Sequence, residues 1–175
     1  MDPRVLLEKL LNYERRVRHL YLQFGERSDF SPDMKLFWKY MAEDERHHLD
    51  LLERSSGFVD MVDKRLEVTE EVLAEIDKLL ATAEKTQQQT NLSMNDALQL
   101  ALLIEGSEVN SLDATWLSGF RSPIGSLLQS MLPEEEVHIR RLVEAINQFS
   151  QDKALREQSV ELWVKYQKER KGLRK

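Results

Sequence analysis

Apolar positions recur along this chain at alternating steps of three and four residues. Four of the resulting stripes are interrupted by glutamate or histidine. The first reads Leu7, Leu10, Glu14, Val17, Tyr21, Phe24; the second reads Phe37, Met41, Glu45, His48, Leu52. The third reads Leu98, Ala101, Glu105, Glu108, Leu112, Trp116; the fourth reads Leu128, Met131, Glu135, His138, Leu142, Ala145, Phe149. This spacing turns one face of a helix toward a core. It predicts four bundle helices. The first covers about 3–24, with Asp2-Pro3 as cap and first residue and Gly25 as the stop. The second opens at Ser31-Pro32. The third runs from about 95 to a stop near Gly119, and the fourth opens at Ser122-Pro123 and runs to about 149. No stretch alternates as a strand would, so the expected class is all-α.

A connection over 55–93 separates the second and third helices and has an apolar face of its own, including Leu73, Ile76, Leu80 and Ala83. A crossover this long can return the chain to the other end of the bundle and make those two helices parallel. The polar run 85–91 is the expected mobile loop. A last helix, about 152–171, carries Leu155, Leu162, Trp163 and Tyr166, and is expected to pack on the bundle or on a second subunit. The domain reading is therefore a metal-binding bundle over 1–150, crossover included, followed by a helix and basic tail over 151–175.

The polar interruptions repeat. Ser31-Pro32 recurs as Ser122-Pro123 and Glu14 as Glu105, each 91 residues on; Glu45 and His48 recur as Glu135 and His138, 90 residues on. A kink or bulge at Pro133 could account for the one-residue slip. Residues three apart share a helix face, so each Glu-x-x-His pair can hold one ion together. Glu14 and Glu105 supply terminal carboxylates, while Glu45 and Glu135 can each span two ions. Asp44-x-x-His47 offers a rival frame. His48 continues the stripe of Met41 and Leu52, whereas His47 falls on a polar face with Glu43 and Asp50. Four carboxylates in apolar stripes, with no Lys or Arg there to pair with them, would each carry a desolvation cost of several kcal/mol unless a cation is bound. Oxygen and imidazole ligands suit iron, manganese or zinc.

Glu108 can face the same cavity or lie outside it as a solvated carboxylate. Tyr21, two turns beyond Glu14, can hydrogen-bond a ligand carboxylate or serve as an ordinary core residue. His19 lies off the stripe and is read as surface. Trp38, Trp116 and Trp163 are read as core or interface residues rather than electron relays.

Composition narrows the chemistry. There is no cysteine among the 175 residues, which excludes disulfides, thiolate metal sites and catalytic thiols. A net charge of −6 argues against general nucleic-acid binding, and no apolar run is long enough for a membrane span. The basic tail from Lys165 to Lys175 reads as cations favoured at a helix C-terminus. The N-terminus lacks a signal-peptide pattern, so a cytoplasmic location is expected.

Glu14 with Tyr21, Ala42-Glu43-Asp44-Glu45-Arg46-His47-His48, Ile104-Glu105 and Glu134-Glu135-Glu136-Val137-His138 together resemble the rubrerythrin group of ferritin-like proteins, over roughly residues 3–150. The resemblance implies a ferritin-like four-helix bundle holding two iron ions, with Glu14, Glu45, His48, Glu105, Glu135 and His138 as ligands. Glu108 matches an extra glutamate of that family. It also implies reduction of hydrogen peroxide or oxidation of ferrous iron by dioxygen. A homodimer is expected. The family's four-cysteine electron-delivery module has no counterpart in this chain, so a separate donor protein is expected. Where the family tends to place a second tyrosine, this chain has Leu112 and Asp113. The alternatives are a non-enzymatic iron-binding or scaffold protein and a di-manganese catalase-like enzyme.

Overall fold

Polar caps start the helices. In the computed structural model, which describes residues 1–62, 68–107, 112, 115–116, 118–120, 124–125 and 135–173, helix α1 spans Pro3–Glu26 and α2 spans Pro32–Ser55. The Asp2 carboxylate accepts from the Arg4 N–H, and the Ser31 hydroxyl accepts from the Met34 N–H. A short 3₁₀ turn, Ser56–Met61, ends α2. Helix α3, Glu70–Gln87, is capped by Thr69, and α4, Met94–Glu105, starts with a reciprocal Ser93/Asp96 capping box. Helix α5 spans Glu135–Phe149. Helix α6 spans Lys153–Leu173, and its first free N–H groups, those of Ala154 and Leu155, bond to Asp152. Each such cap contributes about 1 kcal/mol. Among the described residues there is no strand beyond one isolated antiparallel bridge, Val62 to Phe120, and no helix long and apolar enough to cross a membrane.

Helices α1 and α2 form an antiparallel hairpin. Near its turn Trp38 is fully buried, its ring centroid 4.7 Å from Phe24, 4.7 Å from Phe37 and 5.5 Å from Tyr21. Gly25 does not stop α1. It lies inside the helix against Trp38 and the Lys35 carbonyl, and the chain leaves the helix at Arg27, in extended conformation. The apolar face expected in the crossover buries Leu73, Ile76, Leu80 and Ala83 as α3. Helix α3 runs alongside α1 in the same direction. Lys9 pairs with Asp77 at 3.2 Å, and Arg16 pairs with Asp77 at 3.0 Å and with Glu84 at 2.7 Å. The buried Tyr13 hydroxyl donates to the Leu73 carbonyl.

The run 85–91 is not a free loop at its far end. Residues 85–87 belong to α3, and the Arg27 guanidinium donates to the carbonyls of Gln89, Thr90 and Leu92. That clamp starts α4 at the α1–α2 turn. Further along, Tyr21 meets Glu105, and Trp116 donates to the Ser55 hydroxyl at the far end of α2. Helix α4 therefore points the same way as α2, as a long crossover allows. Gln99 bonds Gln158, and Leu162 lies beside Gly106, so α6 runs along α4 with Leu155 in the core.

The third bundle helix is interrupted earlier than expected. Helix α4 ends at Glu105, and Gly106 and Ser107 turn, with the Ser107 N–H and hydroxyl both donating to the Ile104 carbonyl. Helical residues recur at 112, 115–116 and 118. The register that would carry Glu108 onto the face of Glu105 crosses this turn. Glu108 itself lies outside the described residues, as do Ser122-Pro123, Leu128, Met131, Pro133 and the side chain of Glu135.

Candidate metal centre

Five of the seven expected metal-ligand side chains are described, and all five are buried together. Relative exposure is 1% for Glu14, 3% for Glu45 and His48, 6% for Glu105 and 2% for His138. They come from α1, α2, α4 and α5. The core stripe brings each inward, because each replaces an apolar residue at a three- or four-residue step. His47, from the rival frame, is exposed, and so is His19. Trp38 and Trp116 are core residues, while Trp163 is half-buried on α6 beside Tyr166.

The five side chains form two interlocking triads. Glu14, Glu45 and His48 make one; Glu45, Glu105 and His138 make the other. His48 Nδ1 lies 3.1 Å from Glu45 Oε2 and 3.5 Å from Glu14 Oε2. His138 Nε2 lies 3.3 Å from Glu45 Oε1 and 3.0 Å from Glu105 Oε1. Each triad offers ligand atoms within 4.8 Å of one another. Ligands at bond lengths of roughly 2.0–2.2 Å around one ion sit on the order of 3–4 Å apart. Glu45 belongs to both triads, one oxygen toward each histidine, as a carboxylate spanning two ions would be.

The polar atoms meet one another only as close histidine–carboxylate approaches. Both Glu14 oxygens, Glu45 Oε1 and His138 Nε2 are buried and, apart from those approaches, make no hydrogen bond among the described residues. Leaving a buried polar group short of partners costs about 1–3 kcal/mol, and more for a charge. Burial, reinforced by the charge of Glu14, pushes the Glu45 carboxyl well above its ordinary range. Burial would depress the His48 imidazole, but Glu14 and Glu45 outweigh it and raise the group well above 6.5. His138 shows the same contest, burial against Glu105 and Glu45, and is raised to about 9. Without metal, the pocket therefore collects protons to offset its carboxylates. Divalent ions supply the same positive charge and can also ligate the unpaired atoms.

Tyr21 touches a ligand directly. Its fully buried hydroxyl donates to Glu105 Oε1 at 2.5 Å. Burial and the charge of Glu105 hold the phenol well above its usual range, so it stays a donor. That contact fixes which way one Glu105 oxygen faces.

Two residues with no assigned role also reach the site. His138 Nδ1 lies 3.1 Å from Asp44 Oδ2, and Arg141 pairs with the same oxygen. Asp44 had entered as the start of the rival Asp44-x-x-His47 frame and as one residue of the segment 42–48, without a role of its own. Its position next to Glu45, and that of Arg141 one turn after His138, were the available signals. Comparison of the chain with family models, with curated proteins and with solved structures gives no match.

Proposed function

We propose that this chain is a two-metal carboxylate protein of the rubrerythrin type, a di-iron oxidoreductase acting on hydrogen peroxide, or on dioxygen with ferrous iron as substrate. The observation that carries the reading is Glu45, buried between two triads and facing a different histidine with each oxygen. A lone buried ion needs no such shared ligand. Two iron ions held there would supply the two electrons that peroxide reduction requires. The chain's own residues bind and orient. Glu14 and His48 complete one position, Glu105 and His138 complete the other, and Tyr21 holds Glu105. Trp38, Phe24 and Phe37 pack behind Tyr21 as a dry wall. Glu135 is the remaining ligand of the proposed set, and Glu108 its seventh member. With no cysteine in the chain, the electrons that restore the ferrous state would come from a separate donor protein.

The test is anaerobic loading with ferrous iron followed by one equivalent of peroxide. Two irons per chain and a prompt ferric absorption are expected. One iron or none, or loaded iron indifferent to peroxide, would sink the proposal in its enzymatic form. A second reading, metal binding without turnover, is favoured by buried Leu112, which offers no phenol where the resembled family tends to have one. Under it, two ions load but peroxide is consumed no faster than by free iron. Manganese in place of iron is decided by metal analysis of protein from its native host.

A further inference from the structure

Positive charge is concentrated at one end of this chain. Residues 153–175 hold eight Lys or Arg against three Glu, whereas the remaining residues hold 17 Lys or Arg against 28 Asp or Glu. This segment carries helix α6, and one face of the helix is docked close to the metal centre. Leu155 and Ser159 are buried, and Gln158 accepts from Gln99. Leu162 lies 3.8 Å from where a Cβ on Gly106 would stand, one residue from the buried Glu105. The opposite face is open to solvent. Val160 is 50% and Val164 43% exposed, one turn apart, and Lys165 and Lys168 are exposed beside them. The half-buried ring of Trp163 stacks on Tyr166, with centroids 6.1 Å apart. A helix dipole favours cations only over the last turn. Lys165 and Lys168 precede the last turn of α6, which ends at Leu173, so the dipole does not account for them.

We propose that this outer face of α6 docks a small acidic electron-carrier protein, with Val160 and Val164 as its apolar centre and Lys165 and Lys168 as its cationic rim. The inference rests on the reading above, in which a chain without cysteine takes its electrons from a separate protein. Two valines and a few lysines make a small footprint, as in weak redox encounters that bury less than about 1,200 Å². Opposite charge steers such partners together and sets the speed of encounter more than its strength. Each encounter passes one electron, so two return the pair that peroxide takes. The charge distribution also selects among occupants. A second copy meeting this one symmetrically would set one positive α6 against another. A copy meeting it through its acidic remainder builds rings or open filaments rather than a closed pair. A nucleic acid would have to approach against that same acidic remainder. An acidic globular partner meets neither obstacle.

The experiment uses the full chain with a flavodoxin, a small acidic flavin protein, as probe. Added to the isotope-labelled, chelator-stripped chain, it should shift amide signals of 156–168. The shifts should fade as salt rises from about 0.01 to about 0.15 M. Lys165→Glu with Lys168→Glu should weaken binding about tenfold or more, and Val160→Ser with Val164→Ser by a smaller factor. Lys78→Glu with Lys85→Glu makes the same charge change at exposed positions of α3 and should alter binding by less than about twofold. The same spectra show whether each variant is folded. After iron loading and oxidation by peroxide, reduced flavodoxin should restore the ferrous state about tenfold more slowly in the Lys165/Lys168 variant, with the peroxide step unchanged. No binding by the wild type, or equal loss in the α3 control, overturns the proposal and leaves the two-metal reading standing. So does tighter binding of a short single-stranded DNA than of flavodoxin. A sedimentation mass that falls from pair to single chain in the Lys165/Lys168 variant also overturns it, because the face is then a contact between copies. If iron does not load, the two-metal reading fails, and the shift titration still decides whether α6 takes an acidic partner.

Discussion

Glu45→Gln should remove nearly all metal-dependent stabilisation while scarcely harming the metal-free protein. Glu14 and Glu105 each belong to one triad, and Glu45 belongs to both. At a free ion concentration about a hundred times the dissociation constant, each filled position adds about 2.7 kcal/mol. Two positions add about 5 kcal/mol. For a chain of 175 residues, at roughly 2–4 °C per kcal/mol, the wild-type midpoint should rise by roughly 10–20 °C on zinc addition. Glu14→Gln and Glu105→Gln should each keep about half of that rise, and Glu45→Gln almost none of it. In chelator the order changes. Burial already favours the protonated, neutral form of Glu45, so a neutral amide of the same shape should cost less than about 1 kcal/mol or stabilise slightly. Thermal melts of the four proteins, with zinc and with chelator, measure both effects. A Glu45→Gln protein retaining half or more of the zinc shift would refute the shared-ligand geometry.

The metal-free protein should lose stability as pH rises. His138, at about 9 when folded against an ordinary 6.5, contributes stability that is complete below pH 6.5 and lost as pH climbs through 9. A gap of that size corresponds to about 3 kcal/mol. His48 and Glu45, both raised, act in the same direction. Denaturant melts at pH 6.5 and 9 should show the fall in chelator, and saturating zinc should flatten it. Tyr21→Phe removes the donor to Glu105 in a fully buried setting and should cost about 1–3 kcal/mol by denaturant titration of the stripped protein. Arg27→Ala strips three carbonyl contacts and should cost about 1–3 kcal/mol, with faster amide exchange confined to about 88–94; protection unchanged there would count against the clamp.

Periodicity carried most of the helices. The stripes predicted α1 and the starts of α2 and α4 within a residue or two, because Asp2, Ser31 and Ser93 are strong local caps, and they marked the apolar face of α3 without its ends. They also selected His48 over His47 and placed Glu14, Glu45, Glu105 and His138 inside, since a carboxylate in an apolar stripe is conspicuous. One glycine was misjudged and another was passed over. Gly25 is tolerated inside α1, while Gly106 coincides with a turn that the surrounding stripe gave no reason to expect. A glycine in a helical pattern is ambiguous until its packing partners are known. Asp44 and Arg141 lie 97 residues apart, and the Arg27 contacts span 62 to 65 residues. Contacts between separate helices leave no period in either one, so neither pair was legible.

The Arg27 clamp has a consequence for how this chain can be altered. Polar residues 88–91 look like the natural place to insert a tag, a linker or new termini, since exposed polar connections usually accept them. Here three backbone carbonyls in and just beyond that stretch converge on one guanidinium that is itself only 13% exposed. An insertion between Gln89 and Leu92 would pull those carbonyls apart and release the start of α4, whose last residue is Glu105. The most loop-like stretch of the sequence is therefore mechanically tied to the buried centre and is a poor place to cut.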